Sequence, residues 1–208
     1  MKKEIYIIRH GETEYNRKGI IQGSGVNKPL NETGRQQSAL FFDRYMDVGF
    51  DAIVHTNLIR TQETVSPFIR QNNADVIEMP ELREISWGIF EGLPYSPEMK
   101  KDYNDMIASW GRGDYAARLE GGESAEELMQ RVTKGLNSIF SMEADKILVC
   151  SHGRTMRCLM CVIEDLHLKH METVHHSNTG LYKVIVENDQ RKITLRNDIS
   201  HLERLGGQ

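Results

Sequence analysis

The chain has 208 residues, of which 39% are hydrophobic and 27% charged, an ordinary composition for a soluble globular protein. A net charge of −4 argues against a general nucleic-acid binder but leaves room for a local basic pocket. Three cysteines, Cys150, Cys158 and Cys161, imply no disulfide framework and favour a reducing, cytoplasmic setting. The length and the absence of any linker favour a single domain over residues 1–208. The first apolar run is interrupted by Arg9 and His10 too soon for a signal peptide or a membrane span.

That run, Ile5-Tyr6-Ile7-Ile8, has strand length and stops at Arg9-His10-Gly11-Glu12-Thr13. A Gly- and Asn-rich loop follows over 15–29. A helix should open after Leu30, capped by Asn31 with Glu32 in its first turn, and end near Gly49. Residues 51–56 read as a second strand and 58–71 as a helix, which Pro67 should bend or start late. Arg60 falls in the first turn of that helix, against the dipole, which hints at an anion nearby. A third strand covers 74–79. The stretch 81–92 mixes Glu84 and other carboxylates with aromatics and glycines and reads as a partly buried loop. Residues 97–118 are weakly helical and broken at 110–114, so 93–121 looks like a lid over the sheet edge. Ser124-Ala125-Glu126-Glu127 is a capping box that launches an amphipathic helix through Leu128, Val132, Leu136, Ile139 and Phe140.

A second apolar run, Lys146-Ile147-Leu148-Val149-Cys150, ends at Ser151-His152-Gly153. If it lies parallel and adjacent to the first, both imidazoles sit at one edge. A helix over 154–166 starts beside His152. Cys158 and Cys161 fall inside it and read as packing residues rather than a metal or redox pair. Strands over 180–186 and 192–196 form a hairpin through Asn188-Asp189. The alternation of strands and helices gives an α/β fold, an αβα sandwich with a mainly parallel sheet. In such sheets ligands bind beyond the carboxyl ends of the strands.

Arg9, His10, Arg60, Glu84 and His152 collect at that edge. Two guanidiniums and two imidazoles beside a helix amino end make a strong phosphate site. Phosphoryl transfer needs mainly positioning and charge neutralisation. A histidine can be the nucleophile, and a protonated carboxyl can supply the leaving-group proton. The set is complete for metal-free phosphomonoester hydrolysis. The other histidines, His175-His176 and the i, i+3 pair His167 and His170, read as structural or surface residues rather than metal ligands.

Six motifs in order resemble the histidine phosphatase superfamily, the phosphoglycerate mutase-like family. They are Arg9-His10-Gly11-Glu12-Thr13 with Asn16; Leu30-Asn31-Glu32-Thr33-Gly34; Thr56-Asn57-Leu58-Ile59-Arg60; Leu82-Arg83-Glu84 with Gly88, Glu91 and Gly92; Gly121-Gly122-Glu123-Ser124; and Ser151-His152-Gly153. Asn31 stands where that family commonly has threonine, and Thr56 where it has serine. The resemblance implies that His10 becomes phosphohistidine and that Arg9, Arg60 and His152 complete the phosphate pocket. Glu84 would be the proton donor and then the base for water. Asn16 would help hold phosphate oxygens, Gln22 and Gly23 would line the entrance, and Gly153 would contact substrate. No metal or organic cofactor is implied. The partner expected is a small phosphorylated metabolite, with no nucleic acid and no membrane; a homodimer is left open.

Mutases of that family carry a longer insertion after the acidic motif. Here the span from Gly92 to Gly121 is short and has Arg112 and Arg118 but no adjacent arginine pair, so a phosphatase is favoured over a mutase. Narrower members, such as an α-ribazole phosphatase or a fructose-bisphosphatase, remain alternatives. Specificity is expected in Tyr95, Tyr103, Trp110, Arg112 and Tyr115 of the lid.

Overall fold

The apolar runs become six strands: β1 Lys2–Arg9, β2 Ala52–His55, β3 Asp75–Glu78, β4 Lys146–Ser151, β5 Leu181–Glu187 and β6 Gln190–Asp198. This computed structural model describes residues 2–205 except Asn72 and Asp189, with backbone only at 204–205. The strands form one sheet in the order β3-β2-β4-β1-β5-β6. β1 lies parallel to β4 with Ile8 opposite Cys150 and Arg9 opposite Ser151, so the two apolar runs end side by side. β2 and β3 continue the parallel half, while β5 runs antiparallel to both β1 and β6.

The helices are α1 Glu14–Arg17, α2 Glu32–Tyr45, α3 Ile59–Gln71, α4 Pro97–Gly111, α5 Ala125–Ser141 and α6 Gly153–Ile163. Alternate residues of the strands feed two cores. Ile5, Ile7, Val54, Ile147 and Val149 pack with Leu128, Val132, Leu136 and Ile139 of α5 and Met156 and Leu159 of α6. Tyr6, Ile8, Ile53, Leu148 and Cys150 pack with Phe41 of α2 and Val65 and Phe68 of α3. Both faces of the central strands are covered, which is why they read as unbroken apolar runs. The result is the expected three-layer αβα sandwich. Cys150, Cys158 and Cys161 are free and buried in these cores.

Several boundaries depart from the sequence reading. α3 runs Ile59–Gln71 with Pro67 inside it, so the proline does not mark a late start. The proline removes a donor from Glu63, and the Ser66 hydroxyl supplies one to the Glu63 carbonyl at 2.9 Å. The weakly patterned 97–118 stretch holds a regular helix, α4, capped by the Ser96 side chain with Pro97 in its first turn. It ends at Gly111, and 112–124 is irregular. α6 is shorter than expected, and β6 longer. Half of the expected hairpin turn, Asp189, lies outside the described residues; Asn188 has φ 49°. No described helix is long and apolar enough to cross a membrane.

Candidate active site

The signature loop is held from three sides. Its Gly11 N–H donates to the Thr64 hydroxyl of α3 at 3.0 Å, and its Glu12 N–H to Gln37 of α2 at 2.9 Å. Asn31, the cap of α2, donates from its side chain to the Glu12 carboxylate at 2.6 Å. Thr13 and Asn16 form a reciprocal capping box that turns the chain into α1. The first two helix motifs therefore buttress one loop.

His10 emerges from that loop and is 3% exposed. Its Nδ1 lies 2.7 Å from the Gly11 carbonyl oxygen. A carbonyl only accepts, so Nδ1 carries the proton and Nε2 keeps a lone pair. Burial, reinforced by Arg60 and Arg9, holds the His10 pKa well below the ordinary imidazole value of 6.5. His10 is thus a neutral imidazole with a free Nε2. Arg9 beside it has a buried Nε without a partner among the described residues, and burial lowers its pKa.

His152 stands at the end of β4, its ring centroid 5.3 Å from that of His10. Arg60 Nε donates to its Nδ1 at 3.2 Å, so the ring proton sits on Nε2 and is given to the Thr56 hydroxyl at 2.9 Å. The Thr56 hydroxyl in turn lies 3.0 Å from that of Thr61, which donates to the Leu58 carbonyl at 2.8 Å. Burial, with Arg60 and His10, pushes the His152 pKa well down. Arg60 is fully buried, and its other nitrogens donate to the carbonyls of Val26 at 2.6 Å and Gly23 at 3.3 Å. Burial lowers its pKa to about 10, which leaves it cationic.

Glu84 is 7% exposed and caps the amino end of α6. Its Oε1 accepts from the Ile85 N–H at 3.0 Å and from the Thr155 N–H and hydroxyl, both at 3.1 Å. Its Oε2 accepts from the Arg154 N–H at 3.1 Å. Arg131 of α5 fixes the loop that carries it. The guanidinium donates to the carbonyls of Glu81, Arg83 and Glu84 at 2.7–3.1 Å and pairs with the Glu123 carboxylate at 2.6 Å. Glu123 of the fifth motif thus acts through Arg131.

A pocket of about 300 Å³ opens at this strand edge. Of the expected site residues, Arg9, His10, Asn16, Gln22, Glu84 and Gly153 line it. Arg60, His152 and Gly23 do not; they form a layer packed behind His10, with Gly23 offering its carbonyl to Arg60. A Cβ on Gly23 would meet the Ile85 backbone carbonyl oxygen at 2.7 Å as well as the Glu91 carboxylate at 2.0 Å, so glycine is required there by crowding. The lid residues divide. Tyr95 and Tyr103 line the pocket. Trp110 is core, its indole N–H bound to the Ala117 carbonyl at 2.8 Å. Arg112 and Arg118 are exposed and bonded to Ser109 and Glu127, and the Tyr115 hydroxyl accepts from the Lys169 N–H.

The sequence reading overlooked four contributors. His176, read as structural or surface, lines the pocket, whereas His175 and His167 are exposed. Arg154 and Arg157 of α6 also line it, as does Trp87. Arg154 bonds Glu172 and the Tyr103 hydroxyl and lies near the rings of Trp110, Trp87 and Tyr103. It thereby ties the lid helix α4 to α6. A signal for the two arginines was present: cations in the first turns of a helix that opens at the site, the same argument that marked Arg60. Among the described residues no group of three or more His, Cys, Asp or Glu side chains is arranged to hold a metal ion.

Paired His-bearing strand ends with a buried arginine behind them make a cationic site suited to a phosphoryl group. The family model described as histidine phosphatase superfamily (branch 1) matches residues 5–199, and the chain belongs to that superfamily. It is 26% identical over 203 residues to "Putative phosphoserine phosphatase 2" of Hydrogenobacter thermophilus, covering 98% of this chain and 99% of the relative. It is 31% identical over 185 residues to "Probable phosphoglycerate mutase GpmB" of Yersinia pestis, covering 87% and 84%. Among solved structures, an Entamoeba histolytica phosphoserine phosphatase mutant in complex with phosphoserine superimposes with a TM-score of 0.82 at 22% identity, covering 96% of this chain and 99% of that one.

Proposed function

We propose that this protein is a metal-independent phosphomonoesterase that acts on a small phosphorylated metabolite through a phosphohistidine intermediate. The observation that carries this reading is His10: a neutral imidazole, its Nδ1 fixed on a carbonyl, its Nε2 free, in a pocket it shares with the guanidinium of Arg9. In the first half-reaction the Nε2 lone pair forms a bond to phosphorus as the ester P–O bond breaks. Glu84 gives its proton to the departing alkoxide; Oε2, which accepts one hydrogen bond against three at Oε1, is the oxygen for that proton. In the second, water attacks phosphorus, Glu84 takes its proton, and the P–N bond breaks to release phosphate and free His10.

Arg9 neutralises the phosphoryl oxygens, with Asn16 and Gln22 beside it at the entrance. Arg60 and His152 act from behind by holding the field and the position of His10. The chain works as one catalytic domain with 93–121 as its lid, in a reducing, cytoplasmic compartment suited to three free cysteines.

A mutase must clamp its released intermediate from the lid side so that it does not diffuse away. The arginines available in the lid, Arg112 and Arg118, face solvent, which supports hydrolysis over isomerisation. Phosphate release from a panel of phosphomonoesters with a chelator present tests the reading. Release from several of them is expected. Conversion of 3- to 2-phosphoglycerate without phosphate release, or activity that returns only with added metal, contradicts it.

A further inference from the structure

The main chain on both sides of His10 is held by a turn that takes no part in the steps above. The His10 N–H donates to the Ser151 carbonyl at the end of β4, at 3.0 Å, and the Gly11 N–H to Thr64 of α3. From the other side, the Thr179 N–H donates to the Arg9 carbonyl at 3.0 Å and the Asn178 side-chain amide to the His10 carbonyl at 2.9 Å. The peptide that joins His10 to Gly11 is thus pinned at both ends, its oxygen by Asn178 and its N–H by Thr64. Rotation of that peptide would carry the Gly11 carbonyl away from Nδ1 and release the imidazole.

The turn itself is held under strain. Thr179 is fully buried with a φ of 55°, a left-handed conformation that a β-branched residue rarely adopts. Such strain persists only where the surroundings over-determine it, and it concentrates at working parts of a protein. Here the surroundings are specific. The Thr179 hydroxyl donates to the Asn178 carbonyl at 2.8 Å, which only accepts. The His201 Nε2, 2.9 Å from that hydroxyl, is therefore the donor to it. His201 is buried in the 3-10 segment Ser200–Leu205, its ring edge-on to Phe41 of α2 at 5.2 Å between centroids. Burial pushes its pKa down to about 4, consistent with a neutral ring that carries its proton on Nε2. Asn197 of β6 ties the start of the turn, accepting the Ser177 N–H at 2.7 Å.

We propose that Asn178, Thr179 and His201 are positioning residues for the nucleophile. Asn178 holds the His10–Gly11 peptide, and Thr179 and His201 hold Asn178, so the segment after β6 sets the aim of the His10 Nε2. This rests on the phosphatase reading, since the aim matters only if Nε2 attacks phosphorus. None of the three lines the pocket, so they act through His10 and not by touching substrate. A fault in aim slows attack on phosphorus whatever the leaving group, unlike a fault in Glu84.

The test is the rate of phosphoryl transfer to His10 in a single turnover, measured by rapid quench with an alkyl and an aryl phosphate. It is paired with nitrogen NMR of histidine-labelled protein, with the His10 signals assigned against the His10→Ala protein. Asn178→Leu keeps the shape and removes the amide donor; Thr179→Val removes only the hydroxyl. Each should slow phosphoryl transfer by about tenfold or more on both esters, with KM little changed. The His10 signals should move from the Nδ1–H tautomer toward an average of the two. Thr179→Ser, which restores the hydroxyl, should recover most of the rate; if Thr179→Val does not fold, Asn178→Leu carries the test. A parent-like rate in Asn178→Leu, a loss confined to alkyl phosphates, or a loss that tracks thermal midpoint with unaltered His10 signals would overturn the proposal. A parent that forms no phosphohistidine would sink the phosphatase reading, and the spectra then separate the two. Unaltered His10 signals in Asn178→Leu would overturn the hold on His10 as well, and altered ones would uphold it.

Discussion

At the residue scale, the reaction depends on which atoms are left free. His10 has one nitrogen committed to Gly11 and one available, and His152 has both committed, to Arg60 and Thr56. Two histidines that look equivalent in the sequence, each followed by glycine at a strand end, are therefore assigned different work. Glu84 separates from the other carboxylates of its loop in the same way, since only it caps α6 at the pocket. We expect Glu84→Gln to cut kcat by a factor of about 100 or more on alkyl phosphates, in the range for a general acid. Activated aryl phosphates, whose leaving groups need no proton, should lose far less. Equal losses on both would show that Glu84 is not the proton donor. The identities of these residues were legible in the sequence because each closes an apolar strand or sits in a spaced motif. Their free atoms were not, because those depend on carbonyls contributed by other segments.

At the scale of elements, the helices serve the loops more than they serve themselves. α2 and α3 supply side chains that hold the signature loop, and α5 supplies Arg131, which clamps three carbonyls around Glu84. Arg131 was invisible in the sequence: on the polar face of an amphipathic helix a buried clamp looks like any solvated arginine. His176 was hidden for a related reason, lying in an irregular segment with no periodicity to orient it. The capping box at Ser124 was plain, since it is local chemistry, whereas α4 was obscured by a weak apolar pattern and a lid's mixed surroundings. If Arg131 positions Glu84, Arg131→Lys should keep the Glu123 pair and lose the carbonyl clamp. The expected outcome is a drop in kcat of about tenfold or more on alkyl phosphates with aryl phosphates largely spared, echoing Glu84→Gln at smaller amplitude. A uniform loss across substrates, tracking a fall in thermal midpoint, would mark Arg131 as structural only.

At the scale of the whole molecule, placing β4 between β1 and β2 brings His10, His152 and Arg60 together from segments 50–142 residues apart along the chain, each at a strand end or a helix start beside the same sheet edge. The alternation of strands and helices made the three layers legible, but the strand order was not, because adjacency of β1 and β4 could only be supposed from their matching ends. That adjacency buries His10 beside two guanidiniums and lowers its pKa. The sign of the consequence is definite: a depressed imidazole stays unprotonated as the pH falls below 6.5 and loses its lone pair only below its own lowered pKa. Its nucleophilicity should therefore persist in mildly acidic solution. The most direct measurement is rapid quenching of the protein with a phosphomonoester at pH 5.5 in the presence of a chelator, followed by peptide mapping. The account predicts an acid-labile, alkali-stable phosphoryl group on the peptide that contains His10, formed and discharged at rates compatible with turnover. Hydrolysis that proceeds with no such adduct, or with the adduct on another residue, would contradict it.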